Sequence, residues 1–192
     1  MNRTQEILIE AGALITGHFA LTSGRHAAQY MQCAKVLQKP TYVEEIVGML
    51  VDDNTLDEEG IDFVVAPAVG AIVFGYELAR EIGAVSLFTE RVDGKMALRR
   101  GFEIPKGARV LVAEDVVTTG GSVKEVIDVV KASEATVVAV ALIVDRSGGT
   151  VDFGVTTHAA FITAIESYDP ENCPLCKKTI PLTKPGSRAI SK

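Results

Sequence analysis

The sequence predicts one α/β domain built on a parallel β-sheet with helices on both faces. Short apolar, β-branched runs recur at residues 61–66, 110–113 and 135–144, the pattern of strands buried on both faces. The first two lead through a turn of small residues into a segment of helical periodicity, the alternation that builds a parallel sheet. A chain of 192 residues, 47% of them hydrophobic, suits a single core of ordinary size.

Taken in order, residues 4–13 read as a short amphipathic helix with Ile7, Leu8 and Ala11 on one side. Phe/Leu alternation from Gly17 to Arg25, ending in a Ser-Gly turn, reads as an edge hairpin. Residues 40–51 form a helix with Pro40 at its start, where a missing N–H does no harm. A polar run follows over 52–60, then the first core strand at 61–66. Ala66-Pro67-Ala68-Val69-Gly70 turns into a second helix through Arg80, and Val85 to Phe88 is the next strand. Residues 89–107 carry Gly94, Gly101 and Gly107 and few core-forming side chains, so they are expected to be mobile. Four cations fall within ten residues there, Arg91, Lys95, Arg99 and Arg100. The segment suits either a solvated hairpin or a lid over an anionic ligand. Strands at 110–113, 135–144 and 158–165 complete the core. From Asp169 four of the seven prolines and five basic residues mark an irregular C-terminal arm.

The chemistry concentrates at residues 110–122. A strand ends in Glu114 and Asp115, then Val116 and Val117, then Thr118-Thr119-Gly120-Gly121-Ser122, then a helix with Val123, Val126, Ile127 and Val130 on one stripe. Ligands of open α/β sheets bind at the carboxyl ends of strands. Glycines let the backbone approach, hydroxyls donate to phosphate oxygens, and a helix N-terminus offers free N–H groups and a favourable dipole. Neither G-x-x-x-x-G-K-[ST] nor G-x-G-x-x-G is present. Residues 66–70 equally suit a phosphate-facing loop or a plain tight turn. Arg146, just after the strand at 135–144, suits bidentate binding of a carboxylate or a simple pairing with Asp145.

A net charge of −6 argues against general nucleic-acid binding, while six of nineteen basic residues between Arg91 and Arg109 suit a small anionic ligand. The longest uncharged stretch is too short for a membrane span and residues 1–6 lack signal-peptide character, so a soluble cytoplasmic protein is expected. Cys33, Cys173 and Cys176 cannot all pair, which agrees with a reducing compartment. Cys173-Pro174-Leu175-Cys176 has zinc-knuckle spacing, but no second Cys/His pair is evident, and His18, His26 and His158 read as scattered structural or surface residues. No protein-held metal is expected.

The stretch from Val110 to Ser122 resembles the phosphoribosyl-diphosphate motif of the type I phosphoribosyltransferases, and Phe19-x-Leu21-x-Ser23-Gly24-Arg25 with Tyr30 resembles the N-terminal signature of the orotate phosphoribosyltransferases. Thr22 stands where many members carry lysine. The resemblance covers most of the chain from about Leu8 to Ile165. It implies a single phosphoribosyltransferase domain over 1–192, with a hood at 1–40, a core at 61–165 and an arm at 169–192. It also implies transfer of phosphoribosyl from 5-phospho-α-D-ribose 1-diphosphate to orotate, with Mg²⁺ carried by the diphosphate. Glu114, Asp115, Arg91 and Lys95 would be catalytic. Residues Glu114, Asp115, Val116, Val117, Thr118, Thr119, Gly120, Gly121 and Ser122 would hold the sugar phosphate, and Ala66, Pro67, Ala68, Val69, Gly70, Arg91, Lys95 and Arg99 the diphosphate. Orotate would meet Thr118 and Arg146, with Phe19 and Thr22 from the hood. A homodimer that shares loop 90–101 between subunits is implied too. A purine phosphoribosyltransferase, or a regulator that senses phosphoribosyl diphosphate without turning it over, is the alternative.

Overall fold

The computed structural model describes residues 2–21, 23–52 and 60–184. In chain order the elements are α1 (Arg3–Glu10), β1 (Leu14–Ala20), β2 (His26–Met31), α2 (Ala34–Leu37), α3 (Pro40–Asp52), β3 (Phe63–Pro67) and α4 (Ile72–Ile82). They continue as β4 (Val85–Val92), β5 (Lys95–Leu98), β6 (Arg109–Val117), α5 (Gly121–Ala132), β7 (Thr136–Asp145), β8 (Thr156–Ile162), β9 (Ser167–Tyr168), a 3₁₀ turn (Pro170–Asn172) and α6 (Pro174–Lys177). Most of the polar run at 52–60, Thr22 and the tip of the arm lie outside the described residues. Among those described, no helix is long and apolar enough to cross a membrane. The chain divides into two compact units, Met1–Val36 with Ala164–Lys192, and Leu37–Thr163.

The larger unit is a six-stranded sheet in the order β5-β4-β3-β6-β7-β8, parallel throughout except for the antiparallel edge pair β4/β5. Period-two alternation sends successive side chains to opposite faces. On one face Val65, Val110, Val112 and Val140 join Val123, Val126, Ile127 and Val130 of α5 in one apolar core. On the other, α4 packs so closely that a methyl group at Gly75 would stand 2.9 Å from Ala66 Cβ and 3.7 Å from Ala113 Cβ. Helices thus cover both faces, as the alternation of runs predicts.

The segment expected to be mobile forms regular structure at its start. β4 continues through Val92, and Asp93-Gly94, both at positive φ (49° and 83°), turn the chain into β5. Two left-handed residues form the two-residue hairpin turn that matches strand twist. Met96 and Ile104 are buried, and Arg100 reaches back to Glu90 with two contacts of 2.9 Å. Buried Met96 is the main apolar anchor by which the edge hairpin lies against α5.

In the smaller unit β1 and β2 form the expected hairpin, with β9 added to β2 in a three-stranded sheet of its own. The Asn2 side chain caps α1 by accepting from the Thr4 amide at 2.8 Å. Arg25 ties the hairpin to the C-terminal segment by donating to Ser167 Oγ at 2.8 Å and to the Ser167 carbonyl at 2.6 Å. Thr183 continues the attachment: its amide donates to the His18 carbonyl at 2.8 Å, and its carbonyl accepts from Ala20 at 2.9 Å. Among the described residues the arm after Asp169 consists of short helical turns and a β-bridge from Thr183 to Phe19.

Candidate active site

β6 is longer than its apolar run, because Glu114 to Val117 keep pairing with β7. The two acids consequently lie inside the strand, and strand alternation turns them to different sides. Glu114 faces α5 and lines a cleft of ≈ 310 Å³ with Arg91, Val116 to Val123 and Glu125. Asp115 faces the turn after β3, where a methyl group at Gly70 would stand 3.2 Å from its Oδ2. Both sit at the carboxyl end of the sheet, the ligand side of an open α/β fold.

Between β6 and α5 the chain passes through Gly120 at φ 76°, a conformation that L side chains rarely adopt. A methyl group there would also stand 2.7 Å from Val151 Cγ1 and 2.8 Å from Phe153 Cε1. Only glycine satisfies both constraints, and the turn it makes aims the start of α5 at the cleft. No side chain caps that helix, so the Gly121, Ser122 and Val123 amides face the space lined by the Thr118, Thr119 and Ser122 hydroxyls. The arrangement is an anion cradle made of backbone donors, hydroxyls and a helix dipole.

Burial dominates the electrostatics of the acids. Glu114 is 8% exposed, and desolvation, then the charge and hydrogen bonding of Asp115, push its carboxyl up to about 9. Desolvation raises Asp115 as well, opposed by hydrogen bonds from Glu114 and from the Val116 amide at 2.8 Å. Burial thus raises both carboxyls, and the two titrate as one interacting pair. A raised native value makes the folded state bind the extra proton across the window from the ordinary carboxylate range to about pH 9. Glu114 thus contributes a stability that is full in acid and is lost as pH rises through that window. The melting temperature should fall from about pH 5 to about pH 9, and Glu114→Gln should flatten the slope. Equal slopes in the two proteins would remove Glu114 from this account.

The remaining candidates fall into three groups. Arg91 lines the cleft, bonded to the Gly94 carbonyl at 2.6 Å and paired with Glu125 at 3.0 Å. Lys95 instead lines a separate depression beside Asp128, Val129 and Ala132 of α5, and Arg99 stands exposed where β5 ends. Ala66 and Pro67 end β3, and Ala68 to Gly70 form the turn beside Asp115, with Val69 exposed and the Ala68–Val69 peptide cis.

Arg146 follows β7, and its amide donates to the Val117 carbonyl at 2.8 Å, which holds its backbone against the cleft wall. The Asp145 carboxylate accepts from the Ser147 and Gly149 amides, at 2.7 and 3.1 Å, and so fixes the turn. Phe19 is a core residue of the smaller unit, 6% exposed and packed against Tyr30 with ring centroids 5.7 Å apart. Thr22 lies outside the described residues.

A second constellation escaped the sequence reading. Cys173 and Cys176 lack no partners: the hairpin brings His18 and His26 to them within the smaller unit, all four ligand atoms within 4.8 Å of one another. His18 and His26 are buried together rather than scattered, while His158 is half-buried in β8.

The family model for the phosphoribosyl transferase domain matches residues 34–153. Orotate phosphoribosyltransferase of Desulforamulus reducens is 50% identical over 193 residues, covering 100% of both chains. The enzyme of that name from Caldicellulosiruptor bescii is 52% identical over 93% of each. Among solved structures, orotate phosphoribosyltransferase from Aeropyrum pernix aligns with a TM-score of 0.70 at 25% identity, over 82% of this chain and 92% of that one.

Proposed function

We propose that this chain, which belongs to the orotate phosphoribosyltransferase family, transfers phosphoribosyl from 5-phospho-α-D-ribose 1-diphosphate to orotate, giving orotidine 5′-monophosphate and diphosphate. One observation carries the reading: a buried acid and a cation open onto the same cleft as the uncapped N-terminus of α5. Displacement at the anomeric carbon builds positive charge on the ribose and negative charge on the departing diphosphate. Glu114 and Asp115 meet the first, and Arg91 the second. The Thr118 to Ser122 cradle holds the 5′-phosphate, so that binding energy remote from the reaction orients the reacting carbon. Arg146 takes the orotate carboxylate.

Two buried carboxyls raised above their ordinary range, with hydroxyl residues nearby, do not make a protein-only cage for a hard cation, but they fit one that arrives on diphosphate. Mg²⁺, when bound, supplies positive charge to the leaving group. Incubation with phosphoribosyl diphosphate, Mg²⁺ and orotate should release diphosphate, whereas adenine, hypoxanthine and uracil should not replace orotate. Turnover of a purine alone would overturn the reading.

The proposal extends to a cytoplasmic homodimer in which the hairpin at 90–101 serves the partner's site. Its support is the family resemblance, together with the placement of Lys95 outside the cleft that Arg91 lines. Lys95→Ala should reduce turnover more than it weakens phosphoribosyl-diphosphate binding. Mixing Lys95→Ala with Asp115→Asn chains should restore activity above that of either alone. No restoration would confine each site to one chain.

A further inference from the structure

We propose that His18, His26, Cys173 and Cys176 form a structural zinc site that fastens the C-terminal segment to the N-terminal hairpin. The four residues come from β1, β2, the residue before α6 and α6 itself, all within the smaller unit. A tetrahedral Zn²⁺ with two nitrogens at about 2.0–2.1 Å and two sulfurs at about 2.3 Å requires N···N near 3.4 Å and N···S near 3.6 Å. The observed separations are 3.0 Å for His18 Nε2···His26 Nδ1, 3.6 Å for Cys173 Sγ···His18 Nε2, 3.7 Å for Cys176 Sγ···His18 Nε2 and 3.4 Å for Cys176 Sγ···His26 Nδ1. These four of the six edges lie within a few tenths of an ångström of the tetrahedral values, and all six are within 4.8 Å.

Hydrogen bonding alone accounts for these contacts less well. His18 Nδ1 lies 2.7 Å from the Ile180 carbonyl, an acceptor only, so the proton sits on Nδ1 and Nε2 presents a lone pair. One lone pair accepts one good hydrogen bond, yet Nε2 has His26 and both sulfurs around it. A cation at the centre satisfies all four bases together. The bond to Ile180 is then the outer contact that orients a metal-bound imidazole. Two thiolates and two neutral imidazoles neutralise a divalent ion, and this mixed nitrogen and sulfur set favours zinc. Four protein ligands leave no open position, so the site is structural. His18, His26 and Cys173 are buried, and Cys176 stands at the exposed edge of the cluster.

The ion would join side chains 155 residues apart in sequence and hold the turns after Asp169 in place. Full-length protein grown with added zinc and purified without chelator should carry about one zinc per chain by elemental analysis. Replacement with Co²⁺ should give thiolate-to-cobalt charge-transfer bands and the intense d–d bands of a tetrahedral centre. His26→Ala and Cys176→Ser should each lose most of the metal, and Cys33→Ser, whose residue lies outside the cluster, should keep it. Where a variant fails to fold, the metal count and the cobalt spectrum of the parent protein still decide. Substoichiometric zinc with no tetrahedral cobalt spectrum would overturn the site. So would a Cys173–Cys176 disulfide in the freshly purified protein, or full metal retention in both ligand variants.

Discussion

Asp115→Asn will lower turnover by about a hundredfold or more while leaving the fold intact, on the scale seen when one electrostatic partner of a transition state is removed. Burial raises both carboxyls of the pair, Glu114 to about 9, while hydrogen bonds from Glu114 and from the Val116 amide favour the charged form of Asp115. The amide keeps the shape of the side chain and removes the charge that faces a cationic ribose. Glu114, raised to about 9, carries less of that charge at neutral pH, so Glu114→Gln should have the smaller effect of the two. Steady-state rates with saturating substrates check the order, and circular dichroism checks the fold. Equal rates for Asp115→Asn and the parent protein would take the charge out of the mechanism.

Arg146→Ala will raise the Michaelis constant for orotate at least tenfold and leave phosphoribosyl-diphosphate affinity nearly unchanged. A charge-assisted fork to a carboxylate is worth about 2 kcal/mol or more, which sets the size of the loss. The two substrates separate because their anchors do: Arg146 follows β7, whereas the phosphate cradle belongs to the start of α5. Arg146→Lys should recover only part of the loss, since an ammonium keeps the charge without the planar fork. Uracil, which lacks the carboxylate, should be a poor substrate for the parent and should gain nothing from the change. If both substrates weakened equally, Arg146 would be holding the turn at Ser147 to Gly149 and not the base.

What the amino-acid sequence determined by itself was local and periodic. The apolar runs at 61–66, 110–113 and 135–144 became β3, β6 and β7, because a parallel strand buried on both faces writes its burial into every residue. The turn from Thr118 to Ser122 into α5 was legible for a related reason, since a glycine turn leading into a helix sets its own backbone geometry. Tertiary structure decided whatever depends on partners far away in the chain. The continuation of β6 through Glu114 and Asp115 comes from pairing with β7, and that pairing turns the two acids to opposite sides. Burial of Met96 beneath an edge hairpin comes from α5, which the composition of 89–107 could not announce. The tetrad of His18, His26, Cys173 and Cys176 depends on the C-terminal segment returning to β1 through Thr183 and Ile180. No periodicity links residues 155 apart, and only the folded chain brings their ligand atoms within 4.8 Å of one another.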